Sequence, residues 1–352
     1  MSPSVFACVL LLSGCASVPS VDSFPPLTPT ERSCVADSDG VTWVRTAPAT
    51  HRPTLDAWCA SVGPPWRHAG SEATTPAATL IVISWNMNVG RGNLDGLLEY
   101  LAEQFKQELP SARVGLVLLL QEVHRAGAAV PASPRFSRAV PREIRPPAAA
   151  PDIQALAQAV GMSAVYVPSM RNGGGANGPQ DRGNAILTTE PLTAPTAIEL
   201  PFGRQRRVGV AATIHDIRFM SVHLDTSRAR VMQADALATV DLPPAWATVV
   251  AGDLNSVEGH NDGAHKAFMG RLAAEPCGDR RTHAWPWRLE LFFGGWVGRL
   301  DHIFTNLPAG RWSTQCSTLP HFFGSDHRPL AYVLRASGVS ADGLHIVSQT
   351  DR

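Results

Sequence analysis

Residues 79–88 read TLIVISWNMN. Thr79 to Ile83 form an unbroken β-branched and aliphatic run with no glycine or proline. It is too short for a buried helix and fits a strand covered on both faces. The run ends on Asn86 and Asn88, two positions apart, which a continuing strand would place on one face. An amide oxygen there can complete a metal shell, and an amide nitrogen can donate to a phosphate.

Working outward, the same pattern recurs. Residues 114–122 (VGLVLLLQE) are a second buried strand ending on Gln121 and Glu122. Residues 219–225 (FMSVHLD) carry His223 and Asp225, and residues 249–255 (VVAGDLN) carry Asp253 and Asn255. Residues 298–304 (GRLDHIF) carry Asp301 and His302, and residues 324–329 (GSDHRP) place Asp326 and His327 just before a last strand. Polar groups at the ends of so many apolar strands converge on one rim if the strands share sheets. Burying them without chemistry would be costly unless each were paired.

Each residue has an ordinary reading when taken alone. Asn at a strand end is commonly a turn residue, Gly-Asp is a common turn, and His223 could be a core histidine with satisfied hydrogen bonds. Read together, they divide into roles. Glu122 is a hard oxygen ligand suited to Mg²⁺, with Mn²⁺ or Ca²⁺ as alternatives. Asp253 could orient or deprotonate water, and Asn255 could bind phosphate. Asp301 with His327 has the composition of a carboxylate-oriented imidazole. Asp326 is a further metal or water ligand, and His302 fits strand packing.

The intervening segments predict helices over 94–109, 153–160, 227–240 and 260–274. Further strands are predicted near 164–168, 185–189, 196–200, 207–214 and 218–223, and then near 246–251, 299–305 and 329–334. Residues 126–150 and the Gly-rich 171–183 (RNGGGANGPQDRG) read as loops. Strands interleaved with helices, some in hairpin-like pairs, argue for mixed sheets covered by helices.

Seven motifs in order, WNMN, QE, RGNAIL, SVHLD, GDLN, RLDHIF and GSDHRPL, resemble the endonuclease/exonuclease/phosphatase superfamily. The likeness extends from about Thr79 to Arg335. It implies a four-layer α/β sandwich with two central mixed sheets, and a metal-dependent phosphoesterase acting without a covalent intermediate. It also implies that Glu122 binds the metal with Asn86 nearby, and that Asp253 and Asn255 position the nucleophile and phosphate. Asp301 pairs with the catalytic His327, and Asn184 of RGNAIL lies near the phosphate. His223 matches the second histidine of the deoxyribonuclease-like and sphingomyelinase-like branches. That disfavours the abasic-site branch.

The chain of 352 residues carries 30 basic and 30 acidic side chains, so no net charge draws it to polyanions. Nucleic-acid binding would therefore need a local patch. Arg135, Arg138, Arg142, Arg145, Arg171, Arg182, Arg204, Arg206 and Arg207 are candidates. The aromatic stretch 285–296 (WPWRLELFFGGW) is the corresponding candidate for a lipid substrate. A phosphodiester substrate is expected, nucleic acid before a lipid headgroup, and the protein is expected to be a monomer.

The N-terminal apolar run Val5–Leu12 is too short to span a bilayer and fits a signal peptide. Ser13-Gly14-Cys15 resembles a bacterial lipobox, although no Lys or Arg precedes the run. The organisation read from sequence is a signal peptide over 1–15, a Pro-rich tether over 16–30 and an N-terminal extension over 31–78. The main domain then covers 79–336, with a loose tail over 337–352. Lipidated Cys15 would hold an exported protein to the membrane, with plain secretion as the alternative. The four remaining cysteines suggest two disulfides outside the cytoplasm, Cys34–Cys59 and Cys277–Cys316 by nearest neighbour, or else four free thiols.

Overall fold

The computed structural model describes residues 40–71, 76–106, 113–134, 136, 139, 150–175, 178–256, 261–278, 280–284 and 299–337. The signal-like segment with Cys15, the tether and the tail after Ser337 lie outside the described residues. So do Arg135, Arg138, Arg142, Arg145 and the whole 285–296 stretch. Among the described residues no helix is long and apolar enough to cross a membrane.

Among the described residues, fourteen strands form two seven-stranded mixed sheets. In chain order they are β1 (Thr42–Arg45), β2 (Trp66–His68), β3 (Thr79–Asn86), β4 (Val114–Ala126), β5 (Ser163–Gly175), β6 (Gly178–Thr188) and β7 (Thr193–Glu199). They continue with β8 (Val208–Ile214), β9 (Ile217–His223), β10 (Ala247–Asp253), β11 (Ala273–Ala274), β12 (Asp301–Thr305), β13 (Trp312–Thr318) and β14 (Leu330–Ala336). One sheet runs β1-β7-β8-β9-β10-β12-β11 and the other β13-β14-β3-β4-β6-β5-β2. The helices are α1 (Arg52–Cys59), α2 (Leu94–Gln104), α3 (Ile153–Ala159), α4 (Ala229–Thr239) and α5 (Gly263–Met269).

Alternation along the strands builds the layers. Leu80 and Val82 of β3 and Val117 and Leu119 of β4 pack with Val210, Phe219, Val249 and Ile303 in the core between the sheets. Ile81, Ile83, Leu118 and Leu120 point the other way, onto Leu94, Leu97 and Leu101 of α2 and Ile153 of α3. On the far side, Met220, Val222 and Val250 pack on Ala234 and Leu237 of α4 and Phe268 of α5. The result is a helix–sheet–sheet–helix sandwich, as the motif resemblance implied. Asn93 and Asp152 cap α2 and α3, accepting from the Gly96 and Ala155 amides.

Several elements differ from the sequence reading. The Gly-rich 171–183 segment is largely the paired ends of the β5–β6 hairpin rather than a loop. Its charged side chains are buried and partnered: Asp181 bonds Arg125 and Tyr166, Arg182 reaches Asn172, and Arg171 donates to the Pro131 carbonyl. The expected helix over 260–274 is confined to Gly263–Met269 and is followed by the two-residue β11. β1 and β2, drawn from residues before 79, pair with β7 and β5 at the sheet edges. The Cys277–Cys316 disulfide is present. Cys59 is also disulfide-bonded, and its expected partner Cys34 lies outside the described residues.

Candidate active site

The inward alternation of each central strand continues to its end and there turns polar. Beyond Leu80, Val82 and the fully buried Ser84, β3 ends on Asn86. Beyond Phe219 and Ser221, β9 ends on His223. Beyond Val249 and Ala251, β10 ends on Asp253, and β12 begins with Asp301 ahead of Ile303. Register aligns them, with His223 beside Asp253 and Asp253 beside Asp301. Gln121, buried next to Asn86 in register, donates to Ser221 Oγ across the gap at 2.9 Å and fixes one sheet on the other.

Asp253 Oδ2 is the centre of the cluster. Asn86 Nδ2 donates to it at 3.1 Å, and His223 Nε2 and His327 Nε2 face it at 3.4 and 3.7 Å. The Asn86 orientation follows from its neighbour. The Asn88 amide needs an acceptor and takes Asn86 Oδ1 at 2.9 Å, leaving Nδ2 for the carboxylate. Asp253 Oδ1 accepts the Asn255 amide at 2.8 Å, and Asn255 Nδ2 donates to the Leu224 carbonyl.

His327 is held on several sides. Its Nδ1 donates to Asp301 Oδ2 at 2.8 Å, and its backbone N–H donates to Ser325 Oγ. Its carbonyl accepts Trp85 Nε1–H. Ser325 Oγ in turn donates to the Asn86 carbonyl at 2.6 Å, tying this loop to the end of β3.

Glu122 sits in a β-bulge, where Gln121 and Glu122 together oppose Asn184. Its φ is 51°, and left-handed backbone recurs at Asn88 (48°), Val89 (55°) and Asn255 (50°) on the same rim. A β-branched residue in that region is a conformational outlier, and such strain gathers at functional sites. The Glu122 carboxylate has no hydrogen-bond donor among the described residues, and the His223 imidazole faces it, with Nδ1 at 3.8 Å. A partly exposed carboxylate without donors, on the strand paired with the one that ends on Asn86, fits a hard divalent cation.

The electrostatics separate the two histidines. Burial opposes charge on His327, but the Asp301 and Asp253 carboxylates outweigh it and push its pKa up to about 10. Burial, with Arg207, His327 and Arg182 close by, pushes His223 well below the usual imidazole range. Burial also raises Asp253, against the pull of His327, to about 6. At neutral pH the cluster therefore holds an imidazolium, a neutral imidazole and a carboxylate of unusually high basicity.

Not every expected residue joins the cluster. Asn88 lies beyond the end of β3, and its Oδ1 accepts from Arg91. It therefore does not continue the strand face it was expected to share with Asn86. Asn184 faces the inter-sheet gap and donates to the Val208 carbonyl. Asp326 is half-exposed and faces His283 at 3.8 Å; no described contact joins it to Glu122 or Asn86. Asp225 ties the turn before β8 to its own loop by accepting from the Arg204, Gln205 and Ser227 amides. His302 points outward and packs on His265 and Phe304, as expected.

Among the candidate phosphate arginines, Arg171 is tied to the Pro131 and Ala132 carbonyls, and Arg206 to Glu199. Both have structural partners, because a buried guanidinium must find acceptors. Arg182 and Arg207 are buried within electrostatic reach of His223, and Arg207 also feels Glu122 and Asp253. Sequence reasoning gave these two no priority over the other arginines. The adjacency of Arg207 to the start of a buried strand was the available signal. His283 was missed because its neighbour His327 is distant in sequence.

The model of the Endonuclease/Exonuclease/phosphatase family matches residues 83–327, which span the whole cluster. The chain belongs to the endonuclease/exonuclease/phosphatase family. Family members generally use divalent metals and act on phosphodiester substrates such as DNA, and this chain is a phosphoesterase. No curated protein matches it by sequence. Among solved structures, an endonuclease/exonuclease/phosphatase protein from Beutenbergia cavernae is 19% identical, with 74% of this chain and 72% of that one covered and a TM-score of 0.48. An AP endonuclease from Archaeoglobus fulgidus is 17% identical, covering 73% and 99% at a TM-score of 0.41. A mannosyl-6-phosphatase from Bacteroides thetaiotaomicron is 14% identical, covering 72% and 99% at a TM-score of 0.42.

Proposed function

We propose that this phosphoesterase is an exported, divalent-metal-dependent phosphodiesterase that cleaves nucleic acid. The observation that carries the chemistry is the convergence of Asn86, His223 and His327 on Asp253 Oδ2, with Asp301 behind His327. The metal would be held by Glu122 and Asn86, with Mg²⁺ expected. When bound, it neutralises charge on the phosphate oxygens and on the leaving oxygen.

The residues divide the remaining work. Asp253 takes the proton of the attacking water; with a pKa near 6 it is ionised at neutral pH yet more basic than an exposed carboxylate. His327, kept protonated by Asp301, stabilises the charge that builds on the phosphorus centre. His223 stays neutral and serves as a hydrogen-bond donor rather than an acid. Asn255 orients the phosphate, Arg207 and Arg182 add positive potential behind it, and Asn184, bonded to the Val208 carbonyl, braces the two sheets beneath. Water attack forms the new P–O bond as the bond to the leaving oxygen breaks. That oxygen takes up the proton Asp253 removed from the water, directly or through solvent. The products are a phosphomonoester and a free hydroxyl, and Asp253 is ionised again.

Nucleic acid is favoured because Arg182 and Arg207 flank the cluster and the exposed Arg91 and Arg204 lie on adjoining turns. Export and membrane attachment through lipidated Cys15 rest on the leader-like sequence and on the paired cysteines. Hydrolysis of plasmid DNA, RNA, sphingomyelin and a bis-aryl phosphodiester, each with and without Mg²⁺ and with His327→Ala as control, tests the reading. Mg²⁺-dependent cleavage of DNA or RNA that His327→Ala abolishes is the expected result. Full activity in chelator or in that variant would overturn the mechanism, and cleavage of sphingomyelin alone would overturn the substrate. Labelled fatty-acid incorporation that Cys15→Ser does not remove would count against the anchor.

A further inference from the structure

A second group of metal-ligating side chains stands beside the Asp253 cluster. One ligand atom each from His283, Asp326 and His327 lies within 4.8 Å of the other two. His283 Nε2 is 3.8 Å from Asp326 Oδ2. His283 and His327 are directly opposed in a short antiparallel bridge. Backbone hydrogen bonds on either side fix it, from the Ala284 amide to the Asp326 carbonyl at 2.8 Å and from the Arg328 amide to the Thr282 carbonyl at 2.6 Å.

An opposed cross-strand pair puts two Cβ atoms about 5 Å apart on one face, a spacing that lets two imidazoles share an ion. The rings meet edge to face at 4.6 Å between centroids. Asp301 holds His327 Nδ1, so Nε2 is the ring nitrogen left for a metal. A carboxylate on the far nitrogen is the arrangement that orients and strengthens histidine ligands. His283 and Asp326 are 23% and 44% exposed at their side chains, so the cluster opens to solvent on their side.

We infer that His283, Asp326 and His327 form a transition-metal site of the Zn²⁺ class, separate from the Glu122 position, and that filling it inhibits hydrolysis. Two imidazole nitrogens and one carboxylate oxygen are a borderline-soft donor set that suits Zn²⁺ and disfavours Mg²⁺. Tetrahedral Zn²⁺ with bonds of about 2.0–2.1 Å needs its ligands about 3.4 Å apart. Small rotations of the two partly exposed side chains supply that contraction. An ion there displaces the His327 Nε2 proton to solvent and occupies the nitrogen that faces Asp253, so it removes the imidazolium from phosphate stabilisation. Only this inhibitory consequence rests on the phosphodiesterase reading; the binding site does not.

Two measurements on the full chain test it. After chelator treatment and dialysis, Zn²⁺ affinity is read by competition with a chromophoric chelator. The wild type is expected to bind one Zn²⁺ at least about tenfold more tightly than His283→Phe or Asp326→Asn. His283→Phe retains an aromatic ring against His327, Asp326→Asn is the second variant, and circular dichroism establishes that each folds. In saturating Mg²⁺, the Zn²⁺ concentration giving half-inhibition should rise by a similar factor in both variants. Equal Zn²⁺ affinity in wild type and both variants, or loss of the site only in Glu122→Gln, overturns the proposal. Zn²⁺ binding lost in the variants of a protein without phosphodiesterase activity would support the site while defeating the functional reading.

Discussion

His327 Nδ1 donates to Asp301 Oδ2 at 2.8 Å, and both groups are buried at the meeting point of the two sheets. This carboxylate is the main reason the imidazole stays charged despite its burial. Asp301→Asn keeps the shape and removes the charge. The His327 pKa should then fall towards or below the ordinary value of 6.5, and kcat on a bis-aryl phosphodiester should drop by about 10²–10⁴-fold. NMR titration of the His327 ring and steady-state kinetics are the measurements. Unchanged kcat alongside a shifted pKa would remove imidazolium stabilisation from the mechanism.

Glu122 offers the metal a carboxylate with no competing donor among the described residues. Glu122→Gln should raise the Mg²⁺ concentration for half-maximal activity by about 10–100-fold, with little change in thermal stability of the metal-free protein, because a carboxylate without partners leaves no bond to break. A Mg²⁺ dependence that does not move would place the cation elsewhere.

Much of this site is legible in the sequence because strand alternation and chemistry coincide. Leu80, Val82, Ser84 and Asn86 follow one parity, as do Phe219, Ser221 and His223, so reading each apolar strand to its end finds the rim. The edge strands were harder to read. β13 (WSTQCST) is polar and half-exposed, and β1 and β2 are only four and three residues long. The RNGGGANGPQDRG stretch looks like a loop by composition. It folds as a hairpin because Arg125 and Asp181, far apart in sequence, neutralise one another inside. Partnership of that kind is a property of the fold and leaves no local sequence signature.

That buried pair carries a stability prediction. Arg125 binds Asp181 through two nitrogens at 3.2 and 2.6 Å and also donates to the Pro64 carbonyl, while Asp181 accepts the Gly63 amide. Asp181→Asn strands a buried guanidinium and should cost about 3–5 kcal/mol in urea denaturation. It should also raise protease sensitivity around residues 60–66. A loss under about 1 kcal/mol would mean that water reaches Arg125.

Acid should weaken the fold well above the ordinary carboxylate range. Burial, with His265 nearby, lowers the His302 pKa to about 3, and burial lowers His124 and His223 in the same direction. An unfolded histidine binds its proton near pH 6.5, so between about 6.5 and 3 the unfolded chain holds protons that the fold refuses. The stability that neutral His302 confers is thus complete above about pH 6.5 and is lost as pH falls towards 3. His302 alone should account for a few kcal/mol, on the order of 1.4 per pH unit. Urea midpoints taken from about pH 7.5 to 5 should fall steadily, and His302→Phe, which suits the neighbouring Phe304 and Phe268 rings, should flatten the slope. The same slope in that variant would assign the acid sensitivity to other groups.

Gly252 links fold and site most directly. Its φ is 153°, and a Cβ there would lie 1.8 Å from the Val222 carbonyl oxygen on the neighbouring strand. Backbone atoms within a sheet have little room to yield, so Gly252→Ala must part β9 from β10. In register the next pair is His223 and Asp253, so the separation opens the centre of the cluster. The variant should lose more than about 3 kcal/mol, at the upper end for a single substitution. Its residual activity should fall further than its folded fraction, because the 3.4 Å approach of His223 to Asp253 depends on that register. Activity per folded molecule equal to wild type would show that the β9–β10 junction yields without moving the cluster.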